Sequence, residues 1–186
     1  MTKALDTPLV RIVDDDAEQL KSLAFLLRMG GWEVMTYQSA AAFLEMDDPR
    51  RSGCLLLDHR MPNMTGMELH ETLVERGSLL PVIFLSAHGD IPTIRRFLEA
   101  YGKDMEFGQI ELNYFDWNFQ NAKGKLELLQ EWNIPVWVME PVHGGQLAKL
   151  QPEDETRLKA ARPEEKIPAW AFRFLQSLPV TVTLSG

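Results

Sequence analysis

Three short apolar runs, each ending at an acidic or hydroxyl side chain, constrain the fold of this chain more than any other feature. The runs and the polar residues that follow them are Leu9–Val13 with Asp14-Asp15-Asp16, Gly53–Leu57 with Asp58, and Pro81–Leu85 with Ser86. A short, unbroken apolar run that stops at a turn is typical of a parallel strand buried on both faces. Open parallel sheets put their chemistry beyond the carboxyl ends of the strands, so we expect these polar side chains to meet at one edge.

Helical patterns alternate with strand patterns along the whole chain. The predicted strands are Leu9–Val13, Trp32–Tyr37, Gly53–Leu57, Val82–Leu85, Gln109–Leu112, Val136–Met139 and Val180–Leu184. The predicted helices are Ala17–Met29, Ala40–Leu44, Met67–Glu75, Thr93–Tyr101, Gln120–Trp132 and a last helix from Pro168, with a charged, helix-compatible stretch from Leu147 to Arg162. This alternation predicts an α/β fold of parallel βα units joined by right-handed crossovers.

The composition is that of an ordinary globular protein, with 45% apolar and 25% charged residues. A net charge of −8 argues against nucleic-acid binding by the bulk surface, and no apolar run approaches the ~20 residues of a membrane span. The single cysteine, Cys54, excludes a disulfide framework within the chain. We therefore expect no nucleic-acid partner, no membrane partner and a cytoplasmic location.

Residues from about Leu9 to about Thr93 resemble the receiver domain of two-component response regulators, which has a flavodoxin-like fold. The matching segments are IVDDD, LLLD, MPNMTG and FLSAHGD. The resemblance implies that Asp58 is the phosphoacceptor, that Asp14, Asp15 and Asp58 bind Mg²⁺, and that Ser86 is the switch residue that senses the phosphoryl group. Mg²⁺ binding is expected to be weak, because without bound phosphate the ion keeps most of its water.

One feature of the receiver pattern is missing from the sequence. A receiver carries a lysine, usually in a Lys-Pro pair, at the end of its fifth strand. Here the next predicted strand, Gln109–Leu112, ends without a lysine, and Glu140-Pro141 after the following strand has the opposite charge. The resemblance therefore leaves phosphoryl transfer, and its coupling to a conformational change, in question.

Residues 94–186 resemble the C-terminal part of an aldo/keto reductase barrel. The segments that match are RRFLEAYGKDMEFGQIELNYFDW, NIPVWVMEPVHGGQLAKL and PAWAFRFLQSLPVTVTLSG. The resemblance implies a vestigial cofactor-binding site, with Gln109 at the nicotinamide amide and Pro141, Val142, Gly144 and Leu147 bordering the pyrophosphate. The alternative, which we favour, is that these glycines only shape a strand-to-helix turn. The catalytic aspartate, tyrosine, lysine and histidine of that family lie on strands without a counterpart here, so nicotinamide cofactor binding and enzymatic activity are not expected.

Residues 1–93 and 94–186 are predicted to be fragments of these two families, joined without a linker and folded as one domain. We interpret the chain as an engineered fold chimera, a designed scaffold with no selected catalytic activity and a vestigial phosphoacceptor and Mg²⁺ site. One alternative is a response-regulator signalling protein with a phosphorylatable Asp58. A second alternative is an aldo/keto reductase relic that binds a nicotinamide cofactor.

The predicted fold joins a flavodoxin-like (βα)4 fragment to a partial TIM barrel. Val82–Leu85 is expected to pair with Gln109–Leu112 in a barrel-like parallel sheet of about seven strands. The open edges at Trp32–Tyr37 and Val180–Leu184 are expected to close on each other, to recruit a terminal segment or to mediate self-association. The alternative is an open, doubly wound sheet.

Overall fold

The computed structural model describes residues 8–86 and 90–184. The chain divides into two compact units, residues 1–88 and residues 89–186. Among the described residues, no helix is both long and apolar enough to cross a membrane. The predicted domain boundary at residues 93 and 94, and folding of both parts as one domain, stay predictions.

The first unit is a four-stranded parallel sheet with the strand order β2-β1-β3-β4. Its elements are β1 (Leu9–Val13), α1 (Ala17–Met29), β2 (Glu33–Tyr37), α2 (Ala40–Met46), β3 (Gly53–Asp58), α3 (Gly66–Glu75) and β4 (Val82–Leu85). The parallel α/β fold and the flavodoxin-like strand order are confirmed, and the bounds of β1, α1 and β4 agree with those predicted.

Strand β1 lies inside this sheet, and all five of its residues are buried. Apolar side chains on its two faces belong to different clusters: Val13 packs with Tyr37 and Leu57, whereas Ile12 packs with Leu20. Alternate residues of a strand point to opposite faces, so β1, which is apolar at every position except Arg11, is buried on both.

The helices of this unit begin at side chains that satisfy free backbone amides. Asp16 accepts hydrogen bonds from the amides of Glu18 and Gln19 at the start of α1. Thr65 and Glu68 form a capping box at the start of α3, in which each side chain accepts from the other residue's amide. Such caps stabilise a helix by about 0.5–2 kcal/mol each.

The second unit contains a separate three-stranded parallel sheet with the order β5-β6-β7. Its elements are α4 (Ile91–Tyr101), β5 (Gly108–Glu111), α5 (Asp116–Phe119), α6 (Ala122–Glu131), β6 (Val136–Met139), α7 (Pro152–Ala161), α8 (Ile167–Gln176) and β7 (Val182–Thr183), with short 3₁₀ turns at Gly102–Asp104 and Gln146–Ala148. Its core joins Leu98 of α4, Leu126 of α6 and Leu175 of α8 to Val138 of β6.

The prediction of one barrel-like sheet of about seven strands is wrong for the described residues. Strand β4 pairs with β3, whereas β5 pairs with β6 in the other sheet. The apolar pattern of a strand predicts burial in a parallel sheet but does not specify the neighbouring strand. Helices α4, α6 and α8 give the second sheet a core of its own, so its burial does not require β4. Self-association through open edges stays a prediction.

Arg11, in the middle of β1, is the largest fully buried side chain of the described residues. Its Nε donates to Asp47 Oδ1 at 2.6 Å, and its Nη2 donates to the carbonyl oxygens of Asp48 at 2.9 Å and Arg51 at 3.0 Å. The Tyr37 hydroxyl donates to the same Asp47 oxygen at 2.8 Å. Burial and the Asp47 carboxylate raise the pKa of Tyr37, so this hydroxyl keeps its proton. These bonds fasten the loop after α2 to the middle of the sheet.

Replacing the buried arginine should strongly destabilise the first unit. We expect Arg11→Met to lower the free energy of unfolding by about 3–5 kcal/mol, because the Asp47 carboxylate is left buried without its cation. Urea unfolding followed by circular dichroism measures this loss.

The control is Lys21→Met, which breaks the ion pair with Glu18. The Lys21 and Glu18 side chains are 72% and 81% exposed. Exposed pairs contribute about 1 kcal/mol or less. Equal losses in the two variants would contradict the stabilising role assigned to Arg11.

Candidate functional site

Three carboxylates converge at the carboxyl edge of the first sheet. One oxygen each from Asp14, Asp15 and Asp58 lies within 4.8 Å of the others. Asp14 is buried, Asp58 is partly buried and Asp15 is exposed. The predicted acidic cluster is therefore present, with one side open to solvent.

Strand register brings these residues together. Val13 of β1 is aligned with Leu57 of β3, so the residues that follow, Asp14 and Asp58, lie side by side at the edge of the sheet. Asp58 is in turn aligned with Leu85 of β4, and Ser86 is the next residue. Parallel strands place all these ends at the same edge.

Asp14 is oriented by two hydrogen bonds. The backbone amide of Asp16 donates to its Oδ1 at 2.8 Å, and the Gln19 side-chain amide donates to its Oδ2 at 2.5 Å. Sequence reasoning missed Gln19. The helix cap at Asp16 was a usable signal, because it turns the first turn of α1 back towards the end of β1.

Asp58 holds its proton more tightly than an ordinary aspartate. Burial raises its pKa most, and the neighbouring charges of Asp14 and Asp15 raise it further. The backbone amides of Arg60 and His59 oppose this effect, and the Arg60 amide donates to Asp58 Oδ2 at 2.9 Å. A cation placed between the three carboxylates would favour the ionised form.

Gly66 allows α3 to begin directly against Asp58, the last residue of β3. A Cβ atom at this position would lie 2.2 Å from the Asp58 carbonyl oxygen and 3.1 Å from the Leu57 side chain. Only glycine fits this approach without moving the backbone. The sequence predicted a helix from Met67, and the structure starts it one residue earlier.

An open cavity of about 180 Å³ lies over the acidic cluster. Its lining residues are Asp14, Asp15, Asp16, Gln19, Asp58, Arg60 and Ser86. The predicted switch residue Ser86 is exposed at this cavity. The predicted site residues of the first unit therefore lie together, and their roles stay predictions.

The sequence has no lysine between Lys21 and Lys103, and Lys21 pairs with Glu18 on the exposed face of α1.

The residues predicted to form a vestigial cofactor site lie in the second unit. Gln109 is exposed on β5 and its side-chain amide contacts the Met139 sulfur at 3.3 Å. Leu147 and Pro141 are buried, Val142 is partly buried, and Gly144 is exposed with a left-handed backbone. The Gly144 amide donates to the Glu140 carboxylate, so this glycine shapes the turn after β6.

The family model of the response regulator receiver domain matches residues 10–105, which include every residue of the acidic site. The chain belongs to the response regulator receiver family. The match extends beyond the first unit into α4 and the turn that follows it.

Curated receiver proteins are similar over about half of the chain. The response regulator protein TmoT of Ectopseudomonas mendocina is 43% identical over 91 residues, which are 49% of this chain and 41% of that protein. Two transcriptional regulatory proteins, TdiR of Thauera aromatica and FixJ of Azorhizobium caulinodans, are each 45% identical to this chain. The TdiR match covers 48% of this chain and the FixJ match 45%, and each match covers 39% of the relative. The chain thus spans less than half the length of these relatives.

Solved receiver structures are also similar to this chain. A response regulator receiver protein from Burkholderia phymatum has a TM-score of 0.44 at 37% identity, over 51% of this chain and 77% of that one. The FixJ-N crystal structure has a TM-score of 0.45 at 25% identity, over 82% and 90% of the two chains.

These relatives correct two predictions. The interpretation of the chain as an engineered scaffold without selected activity is wrong, because its relatives are response regulators. The missing lysine and the missing linker show that the chain departs from the receiver pattern. They do not show that the departure was engineered. The prediction that nucleic acid is excluded as a partner is also wrong, because two relatives are transcriptional regulatory proteins. A net charge summed over the chain does not describe the segment through which a regulator contacts its target.

Removing the Asp58 carboxyl should stabilise the metal-free protein at neutral pH. A raised pKa means that the folded state binds the proton more tightly, so stability falls as pH rises from the ordinary aspartate pKa through the raised one. We expect Asp58→Asn to unfold at higher urea concentration than the parent at about pH 7 in a chelator, and the difference to vanish below about pH 4.

The control is Asp104→Asn, which removes an exposed carboxyl from the second unit. The raised pKa of Asp58 would be contradicted if Asp58→Asn were less stable than the parent at neutral pH. It would also be contradicted if stability depended on pH in the same way in both variants.

Proposed function

We propose that this chain is a signalling receiver in which Asp58 accepts a phosphoryl group next to Mg²⁺ held by Asp14, Asp15 and Asp58. The observation that carries the proposal is the convergence of these three carboxylates at one strand edge, beside Ser86 and beneath an open cavity. A buried carboxylate beside two others is unfavourable in a purely structural role, because like charges repel and burial removes solvation.

The donor set fits Mg²⁺. All three candidate ligands are carboxylate oxygens, and the exposed side of the site leaves room for the waters that Mg²⁺ retains. Bound there, the ion would supply positive charge to offset the carboxylates and the phosphoryl oxygens. Asp14 is held in position by Gln19 and by the Asp16 amide, so the protein supplies a preformed ligand.

In the proposed reaction, an oxygen of ionised Asp58 attacks the phosphorus of a small phosphodonor. A phosphorus–oxygen bond to Asp58 forms as the bond to the leaving oxygen breaks, and the leaving group departs with the electron pair. The amides of His59 and Arg60 stabilise the ionised carboxylate before attack. Ser86, at the end of the neighbouring strand, lies where its hydroxyl could donate to a phosphoryl oxygen.

The missing lysine limits the response that we propose. The strand after β4 along the chain, β5, belongs to the other sheet and is followed by Leu112 and Asn113. Phosphorylation of Asp58 is therefore proposed to occur with a weaker conformational response than a lysine-containing receiver gives. Because relatives are named transcriptional regulatory proteins, we propose that the signal controls transcription. We propose that the protein acts in the cytoplasm and that DNA is one of its partners.

For residues 94–186 we propose a structural or output role without oxidoreductase chemistry. The resemblance to aldo/keto reductases supplies no acid to protonate a carbonyl and no residues to orient one, so proton transfer and positioning are both missing. We expect no carbonyl reduction with either nicotinamide cofactor. Steady turnover that survives repurification would contradict this expectation.

Mg²⁺ should bind weakly at the acidic site and depend on Asp58. We expect an Mg²⁺ titration to shift the backbone NMR signals of residues 14, 15 and 58–60, and Asp58→Asn to weaken binding by about tenfold or more, because one ligand is lost. The control is Asp16→Asn, which removes a nearby charge but keeps a side chain that caps α1. Equal weakening in both variants would indicate a general field effect and contradict ligation by Asp58.

Phosphoryl transfer is tested with acetyl phosphate, a small acyl-phosphate donor. We expect one phosphoryl group per chain, seen by intact mass, in the presence of Mg²⁺ and none in Asp58→Asn. Asp16→Asn should still be modified. A parent protein that stays unmodified, or an Asp58→Asn protein modified to the same extent, would refute the proposed role of Asp58.

A further inference from the structure

A second cluster of metal-ligating side chains lies at the carboxyl edge of the other sheet. Glu111 ends β5, Asp116 begins α5, and His143 lies in the turn after β6. One donor atom from each of the three lies within 4.8 Å of the others. The His143 Nδ1 atom is 2.8 Å from Asp116 Oδ2 and 3.5 Å from Glu111 Oε1.

The backbone of the turn after β6 directs His143 back towards β5. Glu140 and His143 both have left-handed backbones, with φ of 55° and 49°. The His143 amide donates to the Glu140 carbonyl oxygen at 3.0 Å, and the Gly144 amide donates to the Glu140 carboxylate. The imidazole also packs against the Phe115 ring, with 5.1 Å between centroids. Its position is therefore fixed by the turn and by α5.

Asp116 is a fully buried carboxylate whose orientation is set by amide side chains. Asn113 Nδ2 donates to its Oδ2 at 2.6 Å and also to the Glu140 carbonyl oxygen at 3.0 Å. Gln120 Nε2 donates to its Oδ1 at 3.2 Å. Outer hydrogen bonds of this kind orient the ligands of protein metal sites.

The charge of this cluster calls for a cation. Two carboxylates lie within reach of one imidazole, and Asp116 is 0% exposed. In residues 8–86 and 90–184, the ion pairs of Glu111 and Asp116 are formed with His143 and not with a lysine or arginine. A buried carboxylate without a cation is costly, and a metal ion between the three groups would offset this cost.

We propose that Glu111, Asp116 and His143 form a site for a divalent transition-metal ion of the Zn²⁺ class. Metal–ligand bonds of about 2.1 Å separate adjacent ligand atoms by roughly 2.9–3.4 Å, close to the two distances from His143 Nδ1. A simple Asp116–His143 pair would account for the shorter distance alone and leaves Glu111 without a role. The imidazole nitrogen selects Zn²⁺ over Mg²⁺, which prefers oxygen ligands only.

This site is independent of Asp58 and of receiver signalling. It is tested by titrating the full chain with Zn²⁺ alone, using calorimetry for affinity and the histidine ring signals in NMR for location. We expect one tight Zn²⁺ per chain and a shift of the His143 ring signals. His143→Asn and Glu111→Gln should each weaken binding by at least about tenfold.

The variants are chosen to keep the fold. Asparagine tolerates the left-handed backbone at residue 143, and Glu111→Gln keeps the size of a partly exposed side chain. Asp58→Asn is the matched control and should leave the tight Zn²⁺ affinity unchanged. Circular dichroism verifies folding of each variant. The proposal is overturned if the parent binds no tight Zn²⁺, or if folded Glu111→Gln and His143→Asn bind it with the parent's affinity.

Discussion

Parallel pairing of strands is the constraint on which the rest of this structure depends. Each strand must be followed by a crossover before the next can run in the same direction, so all carboxyl ends lie at one edge of a sheet. Asp14, Asp58 and Ser86 meet in the first unit for this reason. Glu111 and His143 meet in the second unit for the same reason, although they are 32 positions apart in sequence, at residues 111 and 143.

Both clusters concentrate negative charge where the fold gains no stability from it. Burial and repulsion raise the pKa of Asp58, and Asp116 is buried without an arginine or lysine as its ion-pair partner in the described ranges. Such arrangements are typical of sites that bind a cation. The cation offsets the free-energy cost of burying like charges, and apolar packing does not. Hydrogen bonds hold the carboxylates of Asp14 and Asp116, both proposed ligands, in place without an ion.

The sequence predicted the features that depend on local pattern. Apolar runs located β1, β4 and β6. Polar residues at strand ends located the acidic site, because parallel strands place their carboxyl ends at one edge of a sheet. It failed where the answer depends on which elements become neighbours. The pairing of β5 with β6 rather than β4 could not be read from apolar pattern alone.

The contact between Asp116 and His143 was missed for the same reason, since it depends on a left-handed turn after β6. Bulk charge misled the inference about nucleic acid because it averages over surfaces with different roles. Gln19 was missed although the cap at Asp16 was a usable signal, since its partner, Asp14, lies before α1.

The buried Arg11 has a consequence for how the loop after α2 tolerates sequence change. With Asp47, Asp48, Arg50 and Arg51, the loop has the composition of a solvent-exposed connection, where substitutions are ordinarily neutral. Arg11 nevertheless binds one of its carboxylates and two of its carbonyl oxygens from inside the sheet. Insertions or deletions there would move these acceptors away from Arg11, which is held inside the sheet. Apart from Asp47, the loop should therefore vary in side chain but not in length.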